Sequence, residues 1–143
     1  MEAWKKSVLG VVTAGALLMG VGAVPAQAAE VISASNGQII GRGTAVTGTY
    51  TVDCDFEGQR ISASINVIQN TRGGRINDNS MQEEFTCPSD GQVTREYLVF
   101  ARDTGYVPGP ATVRVGAFYT DESGFYTGAE DVEAFAIQLR NSR

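Results

Sequence analysis

Residues able to do chemistry are few in this chain, and their spacing limits what they could do. Asp53, Asp55 and Glu57 place carboxylates at alternate positions ahead of Gly58, as in the first half of a calcium loop. The position that should complete such a loop with a bidentate Glu is Ser64, so only a looser calcium site remains, on Asp53, Asp55 and Glu57 or on Glu130, Asp131 and Glu133. The acid pairs Glu83-Glu84 and Glu130-Asp131 could flank a glycosidic bond, but neighbours on a strand point to opposite faces, so neither pair converges. Cys54 and Cys87 are the two cysteines. In an exported chain an even pair reads as a disulfide, and two thiols without histidine cannot fill a tetrahedral zinc site.

The rest of the inventory narrows the chemistry further. The chain has no His, and its lysines, Lys5 and Lys6, lie at the extreme N-terminus. A Ser or Cys nucleophile normally needs a His or Lys base, so any activity of the later chain would run on carboxylates, Tyr, Ser or a metal. Asp103-Thr104-Gly105 resembles the signature of aspartic proteases. That aspartate needs an apolar strand before it to share a desolvated site, whereas Ala101-Arg102 precede it and Pro108-Gly109-Pro110 follow, which reads as a surface turn. Arg72-Gly73-Gly74-Arg75 resembles glycine-arginine segments that bind RNA, and in an acidic protein it reads as an exposed loop. The segment chosen for recognition is Phe118 to Tyr126, where Phe118-Tyr119 and Phe125-Tyr126 flank an acidic turn. Exposed aromatics beside a turn give large contact area at low entropy cost, and the competing reading is cross-strand pairing that stabilises a hairpin.

The elements that must position these residues begin with a secretory signal over residues 1–28. Lys5 and Lys6 open it, an apolar run from Val8 to Val24 follows, and Ala26-Gln27-Ala28 offers the cleavage motif. Glycines at 10, 15, 20 and 22 and Pro25 suit a cleaved signal better than an uncleaved anchor, and no cysteine follows the motif to carry a lipid. Removal of Glu2, Lys5 and Lys6 takes the net charge from −5 to −6. Such a surface disfavours nucleic acid and anionic lipid as partners. No second long apolar run occurs, so no membrane insertion is expected after cleavage.

Residues 29–143 read as one domain in which alternation of period two replaces any helical period. Val46, Gly48, Tyr50, Val52, Cys54 and Phe56 form one face of a strand against Thr47, Thr49, Thr51, Asp53 and Asp55. Ile61, Ala63, Ile65 and Val67 repeat the pattern after Glu57-Gly58, which predicts a hairpin or adjacent strands. Further strands are expected at Val31–Ser35, Met81–Cys87, Val93–Ala101, Ala111–Tyr119 and Phe135–Leu139, with a mobile loop at Asn70–Ser80. Tyr50, Val52, Ile61, Ile65, Val113, Val115, Phe135 and Ile137 are expected to share one core.

Pro108-Gly109-Pro110-Ala111-Thr112-Val113-Arg114-Val115, followed by Tyr119 to Gly124, resembles the turn and strand of bacterial immunoglobulin-like domains. Val46-Thr47-Gly48-Thr49-Tyr50 with Cys54 resembles small exported actinobacterial domains of uncharacterised function. The Cys54 to Cys87 spacing is shorter than the inter-sheet pair of antibody domains, and Trp4 is the sole Trp, so none packs on the pair. The resemblance implies an architecture: all-β, a single immunoglobulin-like antiparallel β-sandwich with one disulfide. The expected function is a secreted, non-enzymatic binding or interaction module without a cofactor. It would act on an unknown protein or cell-envelope component in the extracellular space. The second expectation is a small carboxylate- or metal-dependent hydrolase, or a calcium-binding domain.

Overall fold

The computed structural model describes residues 29–70, 76–102, 105–125 and 130–142, apart from the side chains of Ile76 and Asn77. The expected signal, Arg72 to Arg75, the first two residues of Asp103-Thr104-Gly105, and Tyr126 lie outside the described residues. Eight strands are present: β1 Glu30–Ala34, β2 Gly37–Ile40, β3 Ala45–Asp53, β4 Arg60–Asn70, β5 Ile76–Thr86, β6 Gln92–Phe100, β7 Gly109–Thr120 and β8 Asp131–Asn141. Among the described residues no helix is long and apolar enough to cross a membrane.

Strict alternation explains the central strands. In β4, Ile61, Ala63, Ile65, Val67 and Gln69 are buried while the residues between them are half-buried on the other face. In β7, Ala111, Val113, Val115, Ala117 and Tyr119 are buried. The two strands are in register, with Ile65 opposite Val115 and Val67 opposite Val113, so their branched side chains form adjoining rows of one apolar face. β8 continues the rows, placing Phe135 opposite Val113 and Ile137 opposite Ala111.

Hydrogen bonds join all eight strands into one sheet in the order β1-β3-β2-β8-β7-β4-β5, with β6 on the other side of β3. The sheet wraps around a single core: Val46, Tyr50 and Val52 of β3 and Tyr97 and Val99 of β6 belong to the same buried cluster as the apolar faces of β4, β7 and β8. The expected core residues are in it, Phe135 being half-buried at its margin. Cys54 and Cys87 are bonded, with Cα atoms 5.9 Å apart.

Four expectations are corrected. β3 and β4 do not pair: β3 takes β1, β2 and β6, and β4 takes β5 and β7. Residues 54–59 are a crossing between distant parts of the sheet, in which Gly58 N–H donates to Cys87 O and Cys87 N–H to Gln59 O. The strand face ends at Cys54, and Phe56 is 53% exposed. Within Asn70–Ser80, the stretch from Ile76 is strand, paired with β4 out to Asn70. Its polar residues are tolerated because they sit on an outermost strand, where Asp78 accepts from Asn66 Nδ2 and Asn79 Nδ2 donates to Phe100 O. Finally, the pairing is not wholly antiparallel, since β2 runs parallel to β8.

Candidate binding site

Three connections meet at one end of the molecule, each leaving a strand end that lies beside the others. The crossing 54–59 leaves β3, the turn 87–91 joins β5 to β6, and the turn 121–125 follows β7. The disulfide ties the first to the second, reinforced by Cys54 N–H donating to Gly91 O. The first is tied to the end of β7 by Asp55 N–H donating to the Tyr119 hydroxyl at 3.0 Å, and the third to the start of β4 by Arg60 Nη1 donating to Glu122 O. The turn after β7 is itself closed. Asp121 N–H donates to Phe125 O, and Gly124 N–H donates to Asp121 O at positive φ. The Asp121 carboxylate also accepts from the N–H groups of Ser123 and Phe125.

This frame holds two phenyl rings in water, Phe125 at 71% exposure and Phe56 at 53%. Exposed carboxylates lie on the same three connections: Asp55, Glu57, Asp90, Asp121 and Glu122. Arg60, at the same end, is paired with Glu84 at 2.7 Å. The four aromatics singled out in the sequence do not share one surface. Tyr119 is buried, and its hydroxyl serves as the acceptor that pins the crossing. Phe118 is half-buried on the opposite face of β7, Phe125 is exposed, and Tyr126 lies outside the described residues. Sequence reasoning missed Phe56, because it continues the period of β3. The signal against burial was the run Glu57-Gly58 directly after it.

The acid pairs behave as their strand positions require. Glu84 faces outward to Arg60, and Glu83 faces inward. Arg95 of β6 meets the Glu83 carboxylate with Nε at 3.0 Å and Nη2 at 3.2 Å. The buried Tyr50 hydroxyl donates to Glu83 Oε2. The Arg95 guanidinium stands 5.1 Å from the centre of the Phe85 ring, which in turn packs against Tyr50. Burial and then the hydrogen bond to Glu83 raise the Tyr50 pKa well above that of a free phenol, and the hydrogen bond to Glu83 raises that of Arg95. β5 and β6 meet here through side chains: Asn79 to Phe100 O, Leu98 N–H to Met81 Sδ, and Glu83 to Arg95. The cluster thus closes a seam rather than lining a cleft. Among the described residues no group of three or more acids and cysteines is placed to hold a metal ion. Asp53 instead accepts from Gln92 Nε2, and Asp131 from Val31 N–H.

A pocket of about 590 Å³ lies at the other end of the strands, lined by Ile39, Gly41, Arg42, Gly43, Tyr106, Asn141 and Ser142. Arg42 has φ 59° and ψ 41°, a left-handed conformation between two glycines that also have positive φ.

No family model matches the chain, and no curated protein matches it. Solved structures do. The chain is similar to an Arabidopsis thaliana protein solved in solution, at 11% identity over 85% of this chain and 87% of that one, with a TM-score of 0.50. A late embryogenesis abundant (LEA) protein, also solved in solution, gives 12% identity over 96% and 87% of the two chains, with a TM-score of 0.46. Alkylpurine DNA glycosylase AlkC of Pseudomonas fluorescens, bound to DNA containing an abasic site analog, gives 16% identity and a TM-score of 0.44. The match covers 78% of this chain and spans 31% of the glycosylase chain. At such identities the Arabidopsis likeness shows a shared fold alone.

Proposed function

We propose that this chain is an exported, non-enzymatic binding or interaction module whose signal, residues 1–28, is removed. Its fold is read as an immunoglobulin-like β-sandwich whose two layers are parts of the one hydrogen-bonded sheet, a reading supported by the presence of β3 and β6 residues in one buried cluster with those of β4, β7 and β8. Export is supported by the disulfide, which persists in oxidising compartments. The recognition surface is the disulfide-bearing end, and its target is a protein or cell-envelope component in the extracellular space. The observation that carries this reading is the exposure of Phe125 and Phe56 on turns whose backbone is already fixed by hydrogen bonds and a disulfide. Rings presented this way offer apolar contact area with little backbone ordering left to lose on binding.

The test compares retention on cell-envelope material with thermal stability for Phe56→Ala and Phe125→Ala. Retention should fall while the melting temperature stays within about a degree or two, as expected for exposed positions whose substitutions fall within ~0.5 kcal/mol. Unchanged retention in both variants, or stability falling in step with it, overturns the assignment.

A further inference from the structure

The fold sorts charge by end. The disulfide-bearing end exposes Asp55, Glu57, Asp90, Asp121, Glu122 and Glu130. The opposite end exposes Arg42, Arg102 and Arg140, with Asp78 of β5 nearby and hydrogen-bonded to Asn66. Strands of nine to twelve residues hold the two ends roughly 30–40 Å apart, so they cannot neutralise one another within one molecule. The acidic end carries a protruding aromatic, and the basic end carries an open, mostly polar concavity beside Arg42.

We propose that the chain associates head to tail with a second copy, the acidic end of one molecule docking on the arginine-bearing end of the next. This rests on the reading of the disulfide-bearing end as the recognition surface, and it names the partner. Phe125 enters the pocket beside Arg42 and Tyr106, and the guanidinium of Arg42 packs on its ring while facing the carboxylates of Asp121 and Glu122. The backbone at Arg42 supports the assignment. A left-handed conformation is costly for a non-glycine residue, and glycine would relieve it, yet an arginine stands there and lines the pocket. Such a contact is heterologous: each molecule retains one unused end, so association continues into open chains unless it closes into a ring.

Sedimentation velocity of the disulfide-bonded protein, from micromolar to millimolar concentration, tests this. At low salt the mean mass should rise with concentration beyond that of a dimer, and it should fall back at high salt. Phe125→Ala and Arg42→Glu should each lower the association constant at least tenfold. Arg42→Gly should do the same while leaving the melting temperature unchanged or higher. The decisive arm mixes Phe125→Ala, whose basic end is intact, with Arg42→Glu, whose acidic end is intact: each pair has one complementary contact, so dimers and nothing larger should form. A constant mass for the unaltered protein overturns the proposal, as does a mixture that stays monomeric. Association that survives Phe125→Ala but not Arg42→Glu also overturns it, because charge alone then suffices. If the unaltered protein stays monomeric while Phe125→Ala or Phe56→Ala still loses envelope retention, self-association falls and the recognition surface stands; if retention is unchanged in both variants, both fall.

Discussion

Glu83 serves three groups at once: it accepts from the buried Tyr50 hydroxyl, pairs with Arg95, and so keeps that guanidinium against Phe85. Its neighbour Glu84 pairs with Arg60 in the open, with both side chains more than 40% exposed. The two residues are adjacent, equal in chemistry and opposite in setting, so they form an internal control. Glu83→Ala should cost about 1–3 kcal/mol, because it leaves a buried hydroxyl without its acceptor. Glu84→Ala should cost no more than ~1 kcal/mol, the range of exposed pairs. Equal shifts in the denaturant midpoint would mean that the seam cluster adds nothing. A steric counterpart lies at Gly48, where a Cβ would run into the Tyr97 hydroxyl and stand 2.5 Å from the nearest carbon of its ring. The glycine in the middle of β3 is there to admit Tyr97, so Gly48→Ala should destabilise by roughly 1–3 kcal/mol, and a crystal structure should show the ring displaced.

At the scale of elements, sequence periodicity located most strands but not their partners. β4 and β7 were legible because every second residue is apolar, and that alternation also dictates their register. Nothing comparable distinguishes a hairpin from a crossing at Glu57-Gly58, since the pattern tells which face is buried and not which strand lies alongside. β5 was half lost for a different reason. After Ile76 its first residues are Asn, Asp, Asn and Ser, turn formers by propensity, and pairing with β4 overrides that propensity on an outermost strand. The candidate site shows the same division. Phe125 was found from its place beside an acidic turn, whereas Phe56 and the Arg42 pocket depend on which loops the topology gathers, information that no local window contains. Register then sets a test: Ile65 lies between Met81 of β5 and Val115 of β7. Ile65→Ala should therefore cost about 2–5 kcal/mol, and Ile65→Val about 0.5–1.5 kcal/mol, in chemical denaturation. Removing the disulfide acts on the crossing. Its separation of 33 residues gives roughly 3–4 kcal/mol in the chain-entropy model, so the Cys54→Ala, Cys87→Ala double variant should lose a large share of its stability.

For the molecule as a whole, pH response at the alkaline limit is dictated by the buried tyrosines. Tyr97 and Tyr106 are both pushed up to about 12 from 10.0, in each case chiefly by burial; Tyr50 is raised for the same leading reason, and Tyr119 is raised by burial against the opposing hydrogen bond from Asp55 N–H. In the unfolded chain these phenols titrate near 10. The folded state holds them protonated to higher pH, so unfolding in that range releases protons. Stability from these groups is therefore complete below about pH 10 and is lost as pH rises through the folded values near 12. The Tyr106 hydroxyl donates to Val67 O and the Tyr97 hydroxyl to Ser35 O, so ionisation also removes two donors that bridge separate parts of the sheet. The melting temperature should stay nearly level from neutral pH to about 10 and then fall steeply. Phenolate absorbance should rise in one step coincident with loss of the sheet signal in circular dichroism. Tyr97→Phe or Tyr106→Phe removes one titrating group and should shallow the fall above pH 10. If Tyr50, Tyr97, Tyr106 and Tyr119 titrate smoothly near 10 in a protein that remains folded, their burial is not what couples the fold to pH.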